Sequence, residues 1–374
     1  MEEGNAKPIW QQPAIGGYPD TSLIGLSGLK RMRAFRDGRV PFPPILYLTE
    51  IPLTTVSAGT AGFKMPASPW FANATGIIPG GMAAVLADAP LGTALDSDLP
   101  PGIAYTTAEM SLTFLRPVRP DPEATVSASG QLLHRTRTVG VTETFLIDDA
   151  TDRLVVFASS RLAIFPPVNP IPDPPKELPV LDQAWPGDSP DHPLRRPVRG
   201  EVLPQEEFER RSGLEMLHEW IAGELPPPPI TELTGVRLAG AGEGEAEMVL
   251  PCSPWLSTAL RTVQGGFTAM LAEATLASAA FSTIEPGTAI APLDLKVNFL
   301  RPVHPDGREL TARAKIVHRG RSLAISNCRV ENADGKPVAL ATGSSMYLPG
   351  RAANLTGIEQ LGAASPDPED ESGA

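Results

Sequence analysis

Two segments of the chain, Met82–Leu95 and Phe267–Phe281, are almost wholly apolar or small, broken mainly by one acid each, Asp88 and Glu273. A helix that is apolar around its whole circumference is a buried one. After each segment come runs of alternating character: MSLTFL, TVSASGQLLH and LVVFASSRLAIF in the first half, LDLKVNFL, ELTARAKIVH and PVALATGSSMYL in the second. Period-two alternation of this kind predicts antiparallel strands with one covered face. Ahead of each apolar segment, SGLKRMRAF and SGLEMLHEW show a small N-cap residue, helical spacing and a closing glycine, Gly38 or Gly223. GAGEGE from Gly240 falls between strand-like runs and predicts a hairpin turn. The expected unit is α+β, with a short helix, one long buried helix and an antiparallel sheet.

The pattern occurs twice because the sequence itself does. SGLKRMRAFRDGRVPFPPILYLT from Ser27 aligns with SGLEMLHEWIAGELPPPPITELT from Ser212, and the register then runs on without a gap. MPASPW at Met65 meets LPCSPW at Leu250, IIPGGMAAVLADA at Ile77 meets TVQGGFTAMLAEA at Thr262, and FLRPVRP at Phe114 meets FLRPVHP at Phe299. Such self-similarity marks a tandem duplication. It divides the chain into an N-terminal extension (1–21), a first unit (22–168), a proline-rich stretch (169–205), a second unit (206–350) and a tail (351–374). Each unit is near the modal size of a domain. The proline-rich stretch is expected to be an extended surface linker, and the acidic, apolar-poor tail to be disordered.

Composition narrows the function. The 374 residues carry a net charge of −12, which argues against nucleic acid as a partner, since phosphate contacts need clustered Lys and Arg. Proline (42) and glycine (34) are abundant, as turns and linkers require. Cys252 and Cys328 are too few for a disulfide framework. The acidic start MEEGNAKPIWQQP lacks the basic and apolar regions of a signal peptide, and no apolar run approaches the length of a membrane span. A cytoplasmic protein that neither spans nor binds a membrane is expected. The five histidines and two cysteines form no metal-ligand spacing and no GxSxG elbow occurs, so neither a zinc site nor a serine hydrolase is expected.

Candidate chemistry gathers at the head of each long helix. Gly80-Gly81 and Gly265-Gly266 would leave helix N-terminal N–H groups open to a carbonyl oxygen gathering negative charge. Close helix packing is the alternative use of such glycines. Seven residues further on stand Asp88 and Glu273, and a lone carboxylate in an apolar helix is costly unless it is paired or functional. Seven helical residues rise about 10.5 Å, so a ligand at the glycines cannot reach the acid of its own helix. Two antiparallel helices across a pseudo-twofold axis would instead pair Gly265 with Asp88 and Gly80 with Glu273.

The run from Asn73 to Asp88, NATGIIPGGMAAVLAD, and its counterpart TALRTVQGGFTAMLAE resemble the hotdog-fold acyl-CoA thioesterases of the phenylacetyl-CoA (PaaI-like) type, with FLRP closing the following strand. The resemblance covers both repeats. It implies two tandem hotdog units packed as a pseudo-dimer, each a long central helix wrapped by an antiparallel sheet. It further implies hydrolysis of acyl-CoA to free acid and CoA, with no metal or redox cofactor. The acid would serve as nucleophile or general base, and the first glycine N–H would polarise the thioester carbonyl. Asn73, Gly81, Gly266 and Thr107 would line the substrate site, and Arg135, Arg137, Arg319 and Arg321 are candidates for the phosphates of coenzyme A.

The histidine of the family's His-Gly-Gly is Pro79 in one copy and Gln264 in the other. Proline has no N–H to offer, whereas a glutamine amide still donates. The pocket of Gln264, Gly265 and Asp88 is therefore the expected active one, with that of Gly80 and Glu273 weak or vestigial. A degenerate hotdog that binds acyl-CoA or a lipid-like ligand is the alternative. A hotdog hydratase or dehydratase is disfavoured by the missing histidine. Acyl specificity and further association of the pseudo-dimer stay open.

Overall fold

The computed structural model describes residues 7–188, 192–351 and 353. The tail expected from 351 onward falls, apart from Arg351 and Ala353, outside the described residues. The first unit contains helices α1 (Gly28–Arg36), α2 (Pro44–Thr49) and α3 (Gly80–Asp96), with strands β1 (Leu53–Ser57), β2 (Thr60–Pro66), β3 (Tyr105–Phe114), β4 (Thr125–Arg135), β5 (Val139–Asp148) and β6 (Arg153–Ile164). The second unit adds α4 (Gln205–Arg210), α5 (Gly213–Ala222), α6 (Pro229–Thr234) and α7 (Gly265–Phe281). Its strands are β7 (Arg237–Gly242), β8 (Glu245–Pro251), β9 (Thr288–Phe299), β10 (Glu309–Arg319), β11 (Leu323–Glu331) and β12 (Pro337–Pro349). Both apolar segments are thus single long helices, and the GAGEGE run is the β7–β8 hairpin.

All twelve strands form one antiparallel sheet, ordered β1-β2-β4-β5-β6-β3-β9-β12-β11-β10-β8-β7. The order is palindromic about the β3–β9 pair, where the units join edge to edge. There Ser111 pairs with Lys296, its own counterpart in the repeat, so the pseudo-twofold axis passes through that pair. Joining the β3 and β9 edges removes two edges that would otherwise be open to aggregation. The alternation expected of the strands appears as burial of every second residue, as in β10 with Leu310, Ala312 and Ala314 inside.

The sheet wraps α3 and α7, which cross where each carries its second glycine. A Cβ on Gly81 would sit 2.8 Å from the Met270 Cα, and one on Gly266 would sit 2.6 Å from the Val85 Cα. Only hydrogen fits at either place, so these two glycines set how closely the helices approach.

The segment ahead of each unit crosses to the other one. The Trp255 indole donates to the Gln12 carbonyl at 3.0 Å and the Trp70 indole to that of Arg196 at 3.1 Å. Likewise the Ile45 N–H donates to the Ser257 carbonyl and the Ile230 N–H to that of Ala72, both at 3.2 Å. The proline-rich stretch is largely exposed from 165 to 185, as a surface linker would be, but His192 and Pro193 are buried. Its end is part of the packed body because it mirrors the N-terminal segment on the opposite unit.

Gly266→Ala would press a methyl group against the backbone of α3 and should lower stability by about 1–3 kcal/mol, the usual penalty of overpacking. Urea unfolding checks this, and an unshifted midpoint would mean that the helices separate freely.

Candidate active site

The crossing of α3 and α7 brings the acid of each helix to the head of the other. The Gly266 N–H donates to Asp88 Oδ2 at 3.0 Å, and the Gly81 N–H donates to Glu273 Oε2 at 3.2 Å. The helical rise pairs each acid with the first glycine of the opposite helix; the hydrogen bond runs from the second. The two glycines divide the work. Gly81 and Gly266 permit the crossing and fix the acids, while Gly80 borders a cavity and Gly265 lies against Asp88 and Phe299. The N–H groups of Gly80 and Gly265 have no intramolecular acceptor, as expected of the first residue of a helix.

Around Asp88 the polar surroundings are rich. Thr107, on β3, donates its hydroxyl to Asp88 Oδ1 at 3.3 Å. Gln264, the N-cap residue of α7, donates from Nε2 to the Val85 carbonyl at 3.2 Å, and its Oε1 is buried with no hydrogen-bond partner. A buried acceptor of this kind calls for a donor from a ligand or water. Burial pushes the Asp88 carboxyl above the ordinary aspartate value, while the Gly266 N–H and Thr107 hydroxyl pull the other way.

Around Glu273 the same positions are stripped. Pro79 stands where the second unit has Gln264, and Pro292 stands where the first has Thr107. Neither offers an N–H or a polar side-chain atom. Glu273 is buried, and desolvation pushes its carboxyl up to about 7 against the opposing Gly81 N–H. A cavity of about 1090 Å³ opens beside it, bordered by Pro79, Gly80, Phe114, Met270 and Pro292.

The remaining sequence candidates lie elsewhere or act locally. Asn73 borders the cavity, but its Oδ1 accepts from the Thr75 N–H, the Thr75 hydroxyl and the Ile77 N–H, shaping the loop into α3. Arg135 pairs with Asp98 at 2.6 Å, in the turn past the C-terminal end of α3, more than two helical turns from Asp88. Arg319 donates to the Thr283 carbonyl at 2.7 Å past the end of α7, and Arg137 and Arg321 are exposed in the same two turns. Arg116 and Arg301 donate to the Leu154 and Pro337 carbonyls and tie down their turns. The sequence reading passed over Pro292, although the repeat register sets it against Thr107. It also passed over Tyr105 and the buried Arg31–Asp96 pair, at 2.5 Å, whose placement needs tertiary structure. Among the described residues no group of His, Cys, Asp and Glu could hold a metal ion, and no helix is long and apolar enough to cross a membrane.

Because the native state keeps a proton on Glu273 that the unfolded chain releases near pH 4.5, this group weakens the fold as pH rises from about 4.5 to about 7. Glu273→Gln removes that dependence. Relative to wild type, its stability should rise across the same window by up to about 3 kcal/mol. Denaturant unfolding at pH 5 and pH 8 measures it, and an offset that does not change with pH would place the carboxylate in solvent.

Comparison with known proteins agrees with the architecture. The thioesterase superfamily model matches residues 75–154 and again 260–339, once in each repeat. The tesB protein of Mycobacterium avium subs. paratuberculosis is similar over 82% of this chain and 98% of its own, with a TM-score of 0.52 and 16% identity. The acyl-CoA thioesterase II TesB2 of Mycobacterium marinum covers 82% and 97%, at a TM-score of 0.47 and 12% identity. The E. coli PaaI protein covers 37% of this chain and 98% of its own, at a TM-score of 0.33 and 24% identity. The likeness to the tesB protein concerns the fold. No curated protein sequence matches the chain significantly. With one match to the superfamily model in each repeat and a twelve-stranded sheet wrapped around two crossed helices, the chain has a tandem double-hotdog architecture and is similar in both halves to the thioesterase superfamily, whose reaction class is thioester hydrolysis.

Proposed function

We propose that the protein hydrolyses acyl-CoA thioesters in the pocket of Asp88, Thr107, Gln264 and Gly265. The observation that carries this reading is the asymmetry between the two helix heads. One surrounds its acid with a hydroxyl and a buried, unsatisfied carboxamide oxygen, and the other has proline at both places. The thioester carbonyl accepts from the free Gly265 N–H at the positive end of α7, where negative charge is stabilised as it develops. A water molecule lies between Asp88 and Gln264 Oε1 and gives a hydrogen bond to each. Asp88, held by the Gly266 N–H and Thr107 hydroxyl, takes one proton as the water oxygen bonds to the carbonyl carbon. The tetrahedral intermediate then collapses, the C–S bond breaks, and the proton on Asp88 passes to the departing CoA sulfur.

Thiol release across short, long and aromatic acyl-CoAs tests the assignment. Asp88→Asn should lower kcat/KM by about 10²–10⁴-fold, the usual weight of a general base, while Glu273→Gln keeps most of the wild-type rate. The reverse ranking would move turnover to the other helix head. Since Asp88 must be ionised and burial raises it, kcat/KM should fall on the acid side at a pH above the ordinary aspartate value. The same limb in Thr107→Val should lie higher still, because one bond to the charged form is lost.

A further inference from the structure

The two helix heads differ in more than the groups around the acid. The cavity beside Glu273 continues along α7 past Ala274 and Ala277 to Phe281, and across to Trp220 of α5 and Ile290 of β9. Its surface there is mostly methyl and ring carbon, and the one hydroxyl that lines it from that stretch of α7, Ser278, is turned back onto the Ala274 carbonyl. The repeat register places Gly92 opposite Ala277, Tyr105 opposite Ile290 and Asp96 opposite Phe281. In the first unit this room is filled by polar groups: a Cβ on Gly92 would lie 2.7 Å from the Tyr105 hydroxyl, and Asp96 is bound to Arg31 at 2.5 Å. Arg31 in turn stands where the second unit has Met216. That room is already occupied, and an apolar chain could enter only by displacing a buried charged pair and a phenol, a large cost. Beside Glu273 it would meet none of these.

The cavity also retains what binds a carbonyl. The Gly80 N–H faces it without a partner, and Glu273 borders it with one oxygen on Gly81 and the other free of any protein donor. Pro79 and Pro292 offer no polar side chain at the two places that Gln264 and Thr107 occupy beside Asp88. At about 1090 Å³ the space is at the upper end of small-molecule sites, which run to about 1,000 Å³. We propose that the cavity of Gly80 and Glu273 is a second, non-hydrolytic site that holds a long apolar acyl chain with its carbonyl on the Gly80 N–H. This rests on the reading that turnover belongs to Asp88, and it divides the pseudo-dimer into one head that cleaves and one that retains. Burial keeps a proton on Glu273 up to about pH 7, so its free oxygen can donate to the same carbonyl. A long-chain acyl thioester and a free fatty acid share this chemistry.

The test uses cis-parinaric acid, a fluorescent 18-carbon polyene carboxylic acid, titrated into wild type and into Asp88→Asn, in which thioesters survive. One saturable site per chain is expected in both. Competition with saturated acids of increasing length should gain up to about fourfold in affinity per buried methylene. Coenzyme A alone should not displace the probe. Stronger displacement by palmitoyl-CoA than by palmitate identifies the thioester as the natural occupant, and the opposite order identifies the free acid. Ala277→Trp and Ala274→Phe, each checked for cooperative thermal unfolding, should weaken binding at least about tenfold by filling the cavity. Absence of saturable binding, or unchanged affinity in both folded variants, overturns the proposal. So does competitive inhibition of thiol release with an inhibition constant equal to the parinaric acid Kd and relieved by Ala277→Trp, because the cavity would then belong to the turnover site. No thiol release from wild type on any acyl-CoA would sink the hydrolase reading alone, leaving the binding result to stand.

Discussion

Everything that distinguishes this molecule depends on the close crossing of α3 and α7 at Gly81 and Gly266. With a methyl group at either position the helices would be forced apart, because what lies opposite is the backbone at Met270 or Val85. The same closeness lets the N–H of each second glycine reach the carboxylate of the other helix. One contact therefore serves packing and chemistry together. The packing use of the glycines and the polar use are two sides of a single constraint, divided between the second glycine and the first.

Duplication within one chain frees the two heads to diverge. A homodimer built from identical units has two equal pockets, since each is made from the same residues by symmetry. Here the symmetry survives in the backbone: the palindromic strand order, the Ser111–Lys296 pairing on the axis and the crossed-over N-terminal segments all keep it. The side chains break it at a few places. Gln264 against Pro79 and Thr107 against Pro292 decide which acid is supported. Tyr105 against Ile290 and the Arg31–Asp96 pair against Met216 and Phe281 decide which head has apolar room.

These substitutions act on electrostatics in opposite senses. Asp88 is raised by burial, yet two donors hold its charged form in place. Glu273 has one donor and deeper burial, and its carboxyl is lifted to about 7. The first environment suits a group that must lose its proton to work, and the second suits one that keeps it. Burial raises both carboxyls, and the hydrogen bonds that oppose it number two at Asp88 and one at Glu273.

The sequence by itself determined the duplication, both long buried helices, the strands after them and the two glycine–acid motifs. Each is written in local periodicity or in the register of the repeat, so no knowledge of the fold was needed. The helical rise between Gly80 and Asp88 even required that each pocket be composite, because one helix cannot bring its own head and its own acid to one ligand. Only the tertiary structure decided which glycine N–H meets the acid, since that turns on the distance of approach between two helices far apart in the chain. It also showed that His192 and the carbonyl of Arg196 are packed against the first unit although they lie in a proline-rich stretch. The large cavity and its polar counterpart were hidden for the same reason. Tyr105, Arg31 and Asp96 lie on β3, α1 and α3, and an internal space exists only where the side chains of such separate elements fail, or manage, to fill it.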